Sequence, residues 1–284
     1  MGIRRYITLG ILLFTTLISA QQYQVIYNLE YQPKLNSDKE VSEEVKLLID
    51  YTHQVSYFQN LGEEKIKAYY KKYNDQVKAG TLDYSQVIEA PDYGFNFAFY
   101  KQTTKDSNLF YEKILGDTYS YSYSEDLSWK IKAETKDILG YKTQKAITTL
   151  GDREWVAWFS HDIPISDGPY KFEGLPGLIL EVSSADNAYS FVAKSFTQTE
   201  EEIVLPKSTE IKRNALITYK KKLLKKPSLA MQNRIENGGP MASISFNGKT
   251  ISQKDIMDSM DEKVKEWILN HDNPIEKDMI WIKR

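Results

Sequence analysis

The chain has 284 residues, with 37 Lys and Arg against 39 Asp and Glu and no cysteine. Disulfides, thiolate metal sites, cysteine nucleophiles and a lipid-modified N-terminal cysteine are therefore excluded. The slight acidity argues against nucleic acid and against an anionic membrane surface as partner, and 20 Tyr within 13% aromatic residues favour a β-rich fold.

Residues 1–20 read as a secretory signal peptide. Arg4 and Arg5 precede an apolar run from Ile7 to Ile18, and Ser19-Ala20 offers a small-residue exit. The run is shorter than the roughly 20 residues a membrane-spanning helix needs. Cleavage after Ala20 leaves 35 basic against 39 acidic residues. The mature chain is then expected in the periplasm or outside the cell, with no membrane span.

Tyr23, Val25, Tyr27, Leu29 and Tyr31 alternate with Gln24, Asn28 and Glu30, which predicts a strand. Leu47 to Tyr51 and Val55 to Phe58 read as further strands. From Glu63 to Lys78, Ile66, Tyr69, Tyr70, Tyr73 and Val77 recur at helical spacing, and Gly80 is placed to end that helix. Phe95, Phe97 and Phe99 alternate, as do Tyr119, Tyr121 and Tyr123. Trp129, Ile131 and Ala133 face one way while Lys130, Lys132 and Glu134 face the other.

Gly140-Tyr141, Gly151-Asp152 and Ala185-Asp186-Asn187 carry turn chemistry. Between and beyond them, Trp155 to Phe159, Leu178 to Val182 and Tyr189 to Phe196 read as strands. Such spacing, with no intervening helices, predicts an antiparallel meander. Ile211 to Lys225 reads as a lysine-rich helix stopping before Pro227, and residues 232–251 as a loop or minor hairpin. Ser252 to Asn270 reads as an amphipathic helix with Ile256, Met260, Val264, Trp267 and Ile268 on one face. Ser252 can cap it, with Asp255 three residues on. The expected architecture is one α+β domain over 21–284, a curved antiparallel meander with helices packed on it. Its C-terminal helical part covers about 207–284.

The densest local signal is Phe172-Glu173-Gly174-Leu175-Pro176-Gly177-Leu178-Ile179-Leu180-Glu181. Leu175-Pro176-Gly177-Leu178 suits a type II turn, because proline presets φ at the second position and glycine tolerates positive φ at the third. Here the chain resembles the GLPGLI family, secreted or periplasmic proteins of Bacteroidetes. Trp129-Lys130-Ile131, residues Thr135 to Tyr141, Gln144-Lys145-Ala146, Ala157-Trp158-Phe159, Ile163-Pro164-Ile165 and Gly168-Pro169 extend the resemblance over the middle third. It implies export and a shared fold, and it brings no catalytic residue. In this reading Gly168, Pro169, Gly174, Leu175, Pro176, Gly177, Leu178 and Ile179 form a structural motif. The Trp-x-Ile, Lys-x-Ile-x-Gly-Tyr and Lys-Ala pieces are also similar to envelope proteins of the lipoprotein-carrier type, which implies a hydrophobic groove.

Candidate chemistry is sparse. His53, His161 and His271 form no HxxxH or HxH pair. His161-Asp162 with Asp167 is the nearest approach to an oxygen/nitrogen metal site, although strand-end and turn roles account for all three. Ser160-His161-Asp162 holds the letters of a hydrolytic relay, but adjacent strand residues point to opposite faces. Asp152 with Glu154, and Glu173 with Glu181, are acidic pairs expected from so many carboxylates. No cofactor motif is present: Gly174 and Gly177 lack the lysine and hydroxyl residue of a phosphate loop. Five lysines between Lys220 and Lys226 could touch an acidic partner, but a solvated helix face is the plainer reading.

Trp155, Trp158, Phe159, Tyr170 and Phe172 gather before the motif and are the candidate binding residues, although core packing accounts for such a cluster better than an open surface does. A non-enzymatic envelope protein binding a protein partner is the first expectation. A carrier of a lipid or acyl chain is the second, and an envelope hydrolase the third.

Overall fold

The computed structural model describes residues 22–35, 37, 40–79, 98–103, 108–114, 117–123, 127–236, 244–246 and 249–277. The expected leader, the helix stop at Gly80, and Phe95 and Phe97 lie outside these residues. So do residues 237–243 and 247–248 of the expected loop or minor hairpin.

Two meanders make one sheet. The first runs β1 (Gln22–Tyr31), β2 (Val41–Asp50), β3 (Val55–Asn60), β4 (Phe99–Thr103), β5 (Asn108–Ile114) and β6 (Asp117–Tyr123). The second runs β7 (Lys130–Ile138), β8 (Tyr141–Leu150), β9 (Arg153–Ser160), β10 (Leu178–Ser184) and β11 (Tyr189–Gln198). β11 pairs antiparallel with β1, fusing the meanders at the centre. β12 (Thr209–Glu210) adds to β6 in parallel, giving 12 strands in the order β12-β6-β5-β4-β3-β2-β1-β11-β10-β9-β8-β7.

Chain reach forces this sheet to bend. Ten strand spacings separate β6 from β7, which in a flat sheet is roughly 48 Å at about 4.8 Å each. The stretch from Tyr123 to Lys130 covers at most roughly 25 Å when fully extended. The two edges must therefore curl toward each other. Among the described residues the ladder does not close, because β7 pairs with β8 and with no strand of the other edge.

The inner face of the curl follows from the alternation in the sequence. Val25, Tyr27 and Leu29 are fully buried, and Tyr27 lies opposite Val45 on one side and Ala193 on the other. Phe58 and Phe99 continue the row through β3 and β4; Phe191, Val182 and Ala157 continue it through β11, β10 and β9.

The α+β expectation is overturned. The helices are α1 (Leu61–Ala79), α2 (Arg213–Lys225), α3 (Leu229–Glu236) and α4 (Gln253–Asn270), with a small hairpin of β13 (Ile244–Phe246) and β14 (Lys249–Ile251) before α4. α2 reaches the inner face with the buried Leu216, and its Lys220 meets Glu112 there, but the layer that fills the middle of that face is not helical. That layer is irregular chain. Ile163, Ile165, Tyr170, Phe172 and Leu175 from the β9–β10 connection are buried there, with Ile275 from the segment after α4. Tyr170 meets Phe58 and Phe99 of the first meander, at centroid distances of 6.4 and 5.3 Å. Phe172, two residues on, meets Trp155 of the second at 4.7 Å. One short segment thus packs against both halves of the sheet. Amphipathic periodicity locates helices but does not say that they are what the sheet buries itself against.

Local signals were otherwise accurate at α4, where the Asp255 N–H donates to Ser252 Oγ at 3.2 Å, the predicted cap. β5, β8 and α3 are elements that alternation and turn residues did not announce.

Candidate functional site

The motif segment is held by a knot of main-chain bonds. Leu178 N–H donates to Ile163 O at 3.0 Å and Ile179 N–H to Asp167 O at 3.0 Å. Because Leu178 is engaged there, the type II turn expected at 175–178 does not close. Gly177 N–H instead donates to Leu175 O at 2.8 Å, making a three-residue turn around Pro176. The need for glycine survives this correction. Gly177 has φ +153°, and a Cβ there would lie 2.6 Å from the Ser160 carbonyl carbon, closer still to its oxygen. Leu175, Leu178 and Ile179 are buried in the core and Pro176 is exposed. Gly168 O accepts from Lys101 Nζ at 2.8 Å, and Pro169 O accepts from Phe172 N–H at 3.1 Å. Gly174 sits beside the Trp129 indole.

Beside this knot opens a cleft of about 570 Å³. Its walls come from stretches far apart in sequence: residues 49–56 at the end of β2 and start of β3, Lys101, Thr103 and Asn108 at the β4 and β5 ends, Leu127, and 164–174 of the motif segment. Size places it among ligand sites, but its lining is richer in polar groups than a typical small-molecule pocket. Lys101 is 3% exposed and donates to Asp167 Oδ1 as well as to Gly168 O. Asn108 Nδ2 donates to Glu173 Oε1 at 2.6 Å. At the rim, Asp50 accepts from His53 N–H at 2.9 Å and pairs with His53 Nδ1 at 2.7 Å. Burial pushes the Asp50 carboxyl up, but the bonds from His53 outweigh it and hold the group below its usual range.

Behind the cleft lies a buried ionic cluster. Lys171, 5% exposed, meets Glu276, 2% exposed, at 2.5 Å, and the Tyr170 hydroxyl donates to the same carboxylate oxygen. Burial opposes both charges. The Glu276 charge overcomes it to raise Lys171 well above its ordinary value, while the Lys171 charge and the bonds from Lys171 and Tyr170 lower Glu276. The segment carrying Glu276 is strapped down along its length. Arg153 reaches Asn273 Oδ1 at 2.9 Å and Pro274 O at 3.0 Å, and the Tyr189 hydroxyl donates to Asn273 O at 2.6 Å.

Four of the candidate aromatic residues, Trp155, Phe159, Tyr170 and Phe172, are buried in the core. Trp158 lies on the outer face, half-buried, with Lys136 Nζ at 4.5 Å from its ring centroid. The structure thus brings Trp155, Tyr170 and Phe172 together as packing rather than as open surface. The three candidate metal ligands are not brought together: His161 pairs with Gln144 at 3.1 Å, Asp162 is exposed and Asp167 holds Lys101. Among the described residues no group of three or more His, Asp or Glu is placed to hold a metal ion. Ser160 Oγ donates to Lys142 O, away from any relay with His161. Glu181 pairs with Lys136, apart from Glu173 and its Asn108.

Asp50, Lys101, Asn108, Lys171 and Glu276 were not singled out from the sequence, and His53 entered only as a histidine outside any ligand pair. None stands in a motif, and the Lys171–Glu276 pair spans 105 residues, so no local pattern announces it.

A family model described as "Protein of unknown function (Porph_ging)" matches residues 150–181, from the β8–β9 turn through the motif. No curated protein matches the chain in sequence. Among solved structures, PNGF-II in two space groups is similar at 15% identity and TM-score 0.46, over 69% of this chain. The chain spans 32% of the PNGF-II chain. An uncharacterized conserved protein from Thermus thermophilus is similar at 6% identity and TM-score 0.33, over 68% of this chain and 91% of its own. Likeness of this size carries no argument about activity. Among the described residues no helix is long and apolar enough to cross a membrane.

Proposed function

We propose that this is an exported cell-envelope protein of the GLPGLI type that binds a partner protein, taking a basic segment of that partner into the cleft beside the motif. The observation that carries the reading is the charge of the cleft. Among the described residues Asp50, Asp167 and Glu173 line it against Lys101, which is held by Asp167, and Lys171, whose ammonium is met by Glu276 behind the wall. The walls therefore favour cationic groups, and a lysine- or arginine-bearing segment supplies them. The filled aromatic interior supports a partner-binder over a carrier, because a lipid would need the space that Tyr170, Phe172 and Trp155 occupy.

The test uses the mature full-length chain and a fluorescein-labelled tetra-arginine peptide, with tetra-glutamate as control, read by anisotropy. Binding of the arginine peptide that weakens about tenfold in Asp50→Asn/Glu173→Gln supports the cleft, a loss of about 1.4 kcal/mol for two charge-assisted contacts. Equal affinity in the variant refutes it. Native mass spectrometry of protein purified from its own envelope adds a second arm: a co-purifying lipid selects the carrier.

A further inference from the structure

We infer that the outer face of α2 is a docking surface for the phosphate headgroups of an anionic lipid bilayer, independently of what the cleft binds. Acidity is absent from one stretch of this slightly acidic chain. The residues from Ile211 to Ile235 include Lys212, Arg213, Lys220, Lys221, Lys222, Lys225, Lys226 and Arg234 and no Asp or Glu, although the chain holds 39 acidic residues. The structure sorts these charges. Leu216, Lys220 and Leu223 are the buried stripe of α2, and Lys220 turns inward to pair with Glu112 of β5. Arg213 lies 3.9 Å from Glu276, and Lys226 reaches Gln232 in a groove also lined by Asp258 and Asp261.

Lys221, Lys222 and Lys225 fall opposite the buried stripe and are exposed. Among the described residues none of the three has a carboxylate within ion-pair distance. They lie within about 6 Å along the helix axis, inside one Debye length of about 8 Å at physiological ionic strength, so their fields add. This is why the net charge of the whole chain does not govern the patch. Lysine suits a headgroup layer, since it offers mobile point charges, whereas a defined carboxylate or phosphate on a folded partner favours the bidentate fork of arginine. The helix is pinned by Leu216, Leu223 and the Lys220–Glu112 pair, and the three ammonium groups project from it together.

Each lysine near an anionic surface is worth about fivefold in partition, so three give about a hundredfold, weak and reversible. The experiment is co-sedimentation of the mature full-length protein with vesicles of phosphatidylcholine alone, or of two parts phosphatidylcholine to one part phosphatidylglycerol. The expected result is binding to the anionic vesicles only, abolished in molar salt and reduced about a hundredfold in Lys221→Gln/Lys222→Gln/Lys225→Gln. The melting temperature of this variant should match wild type, since the three side chains are exposed. No preference for anionic vesicles, or a preference that persists in the variant, overturns the inference. So does lysine-dependent capture of soluble polyglutamate by a protein that ignores the vesicles, which would assign the face to an acidic protein.

Discussion

Replacing Gly177 by alanine tests the motif most directly. The residue sits at φ +153°, and the added Cβ would meet the backbone of Ser160 and His161, not a side chain that can swing away. Ser160 pairs with Leu178 in the ladder between β9 and β10, so retreat would disturb the sheet beside the fully buried Phe159 and Leu180. Backbone strain of about 1–3 kcal/mol and overpacking of about 1–3 kcal/mol together predict a loss of roughly 4 kcal/mol. For a domain of this size that lowers the melting temperature by roughly 8–16 °C. Gly140 is the internal control: it has φ +81° with nothing within 4 Å of an added Cβ, so Gly140→Ala carries the strain without the clash and should cost roughly 1 kcal/mol. Thermal and urea melts of both variants read the difference. Equal shifts in the two, or a Gly177→Ala protein melting within error of wild type, would refute the steric argument.

Glu276→Gln strands the buried Lys171 ammonium and should cost about 3–5 kcal/mol at neutral pH by urea titration, while Lys171→Met/Glu276→Leu should recover most of it. Because the folded carboxyl of Glu276 is held below its ordinary value, its stabilisation is complete above the unfolded pKa of about 4.3. It is lost as pH falls through the lowered folded value, so Glu276→Gln should flatten the acid limb of stability against pH. An unchanged acid limb would show that other carboxylates dominate it. Trp155→Ala should cost about 3–5 kcal/mol as a core truncation, against roughly 1 kcal/mol for Trp158→Ala, whose ring has Lys136 over it on the outer face. Comparable losses would mean that the outer face is packed as tightly as the inner one.

Legibility followed the range of the interaction. β1 is readable from Tyr23 to Tyr31 because a two-residue period records which side of a strand is wet. Gly177 is readable as a position that needs glycine, yet the turn it makes is not, since the bond from Leu178 to Ile163 redirects the chain. Trp155, Tyr170 and Phe172 were legible as a cluster with core packing the favoured reading, and burial bears that out, although aromatic side chains alone read alike whether they line a groove or fill it. Where Trp158 differs is only in the direction its strand position takes relative to the curl.

From the sequence alone came the period-two strands, the absence of cysteine chemistry and the place where a Cβ is not tolerated, all properties of neighbouring residues. The tertiary structure alone decided that β1 meets β11, that the sheet fills its inner face with residues 163–175 and the Glu276 segment in place of helices, and that Asp50, Lys101, Asn108 and Glu173 share one cleft. Such choices are made by contacts across tens to more than a hundred residues, where the energy lies in the meeting of two segments and neither segment carries a mark of the other.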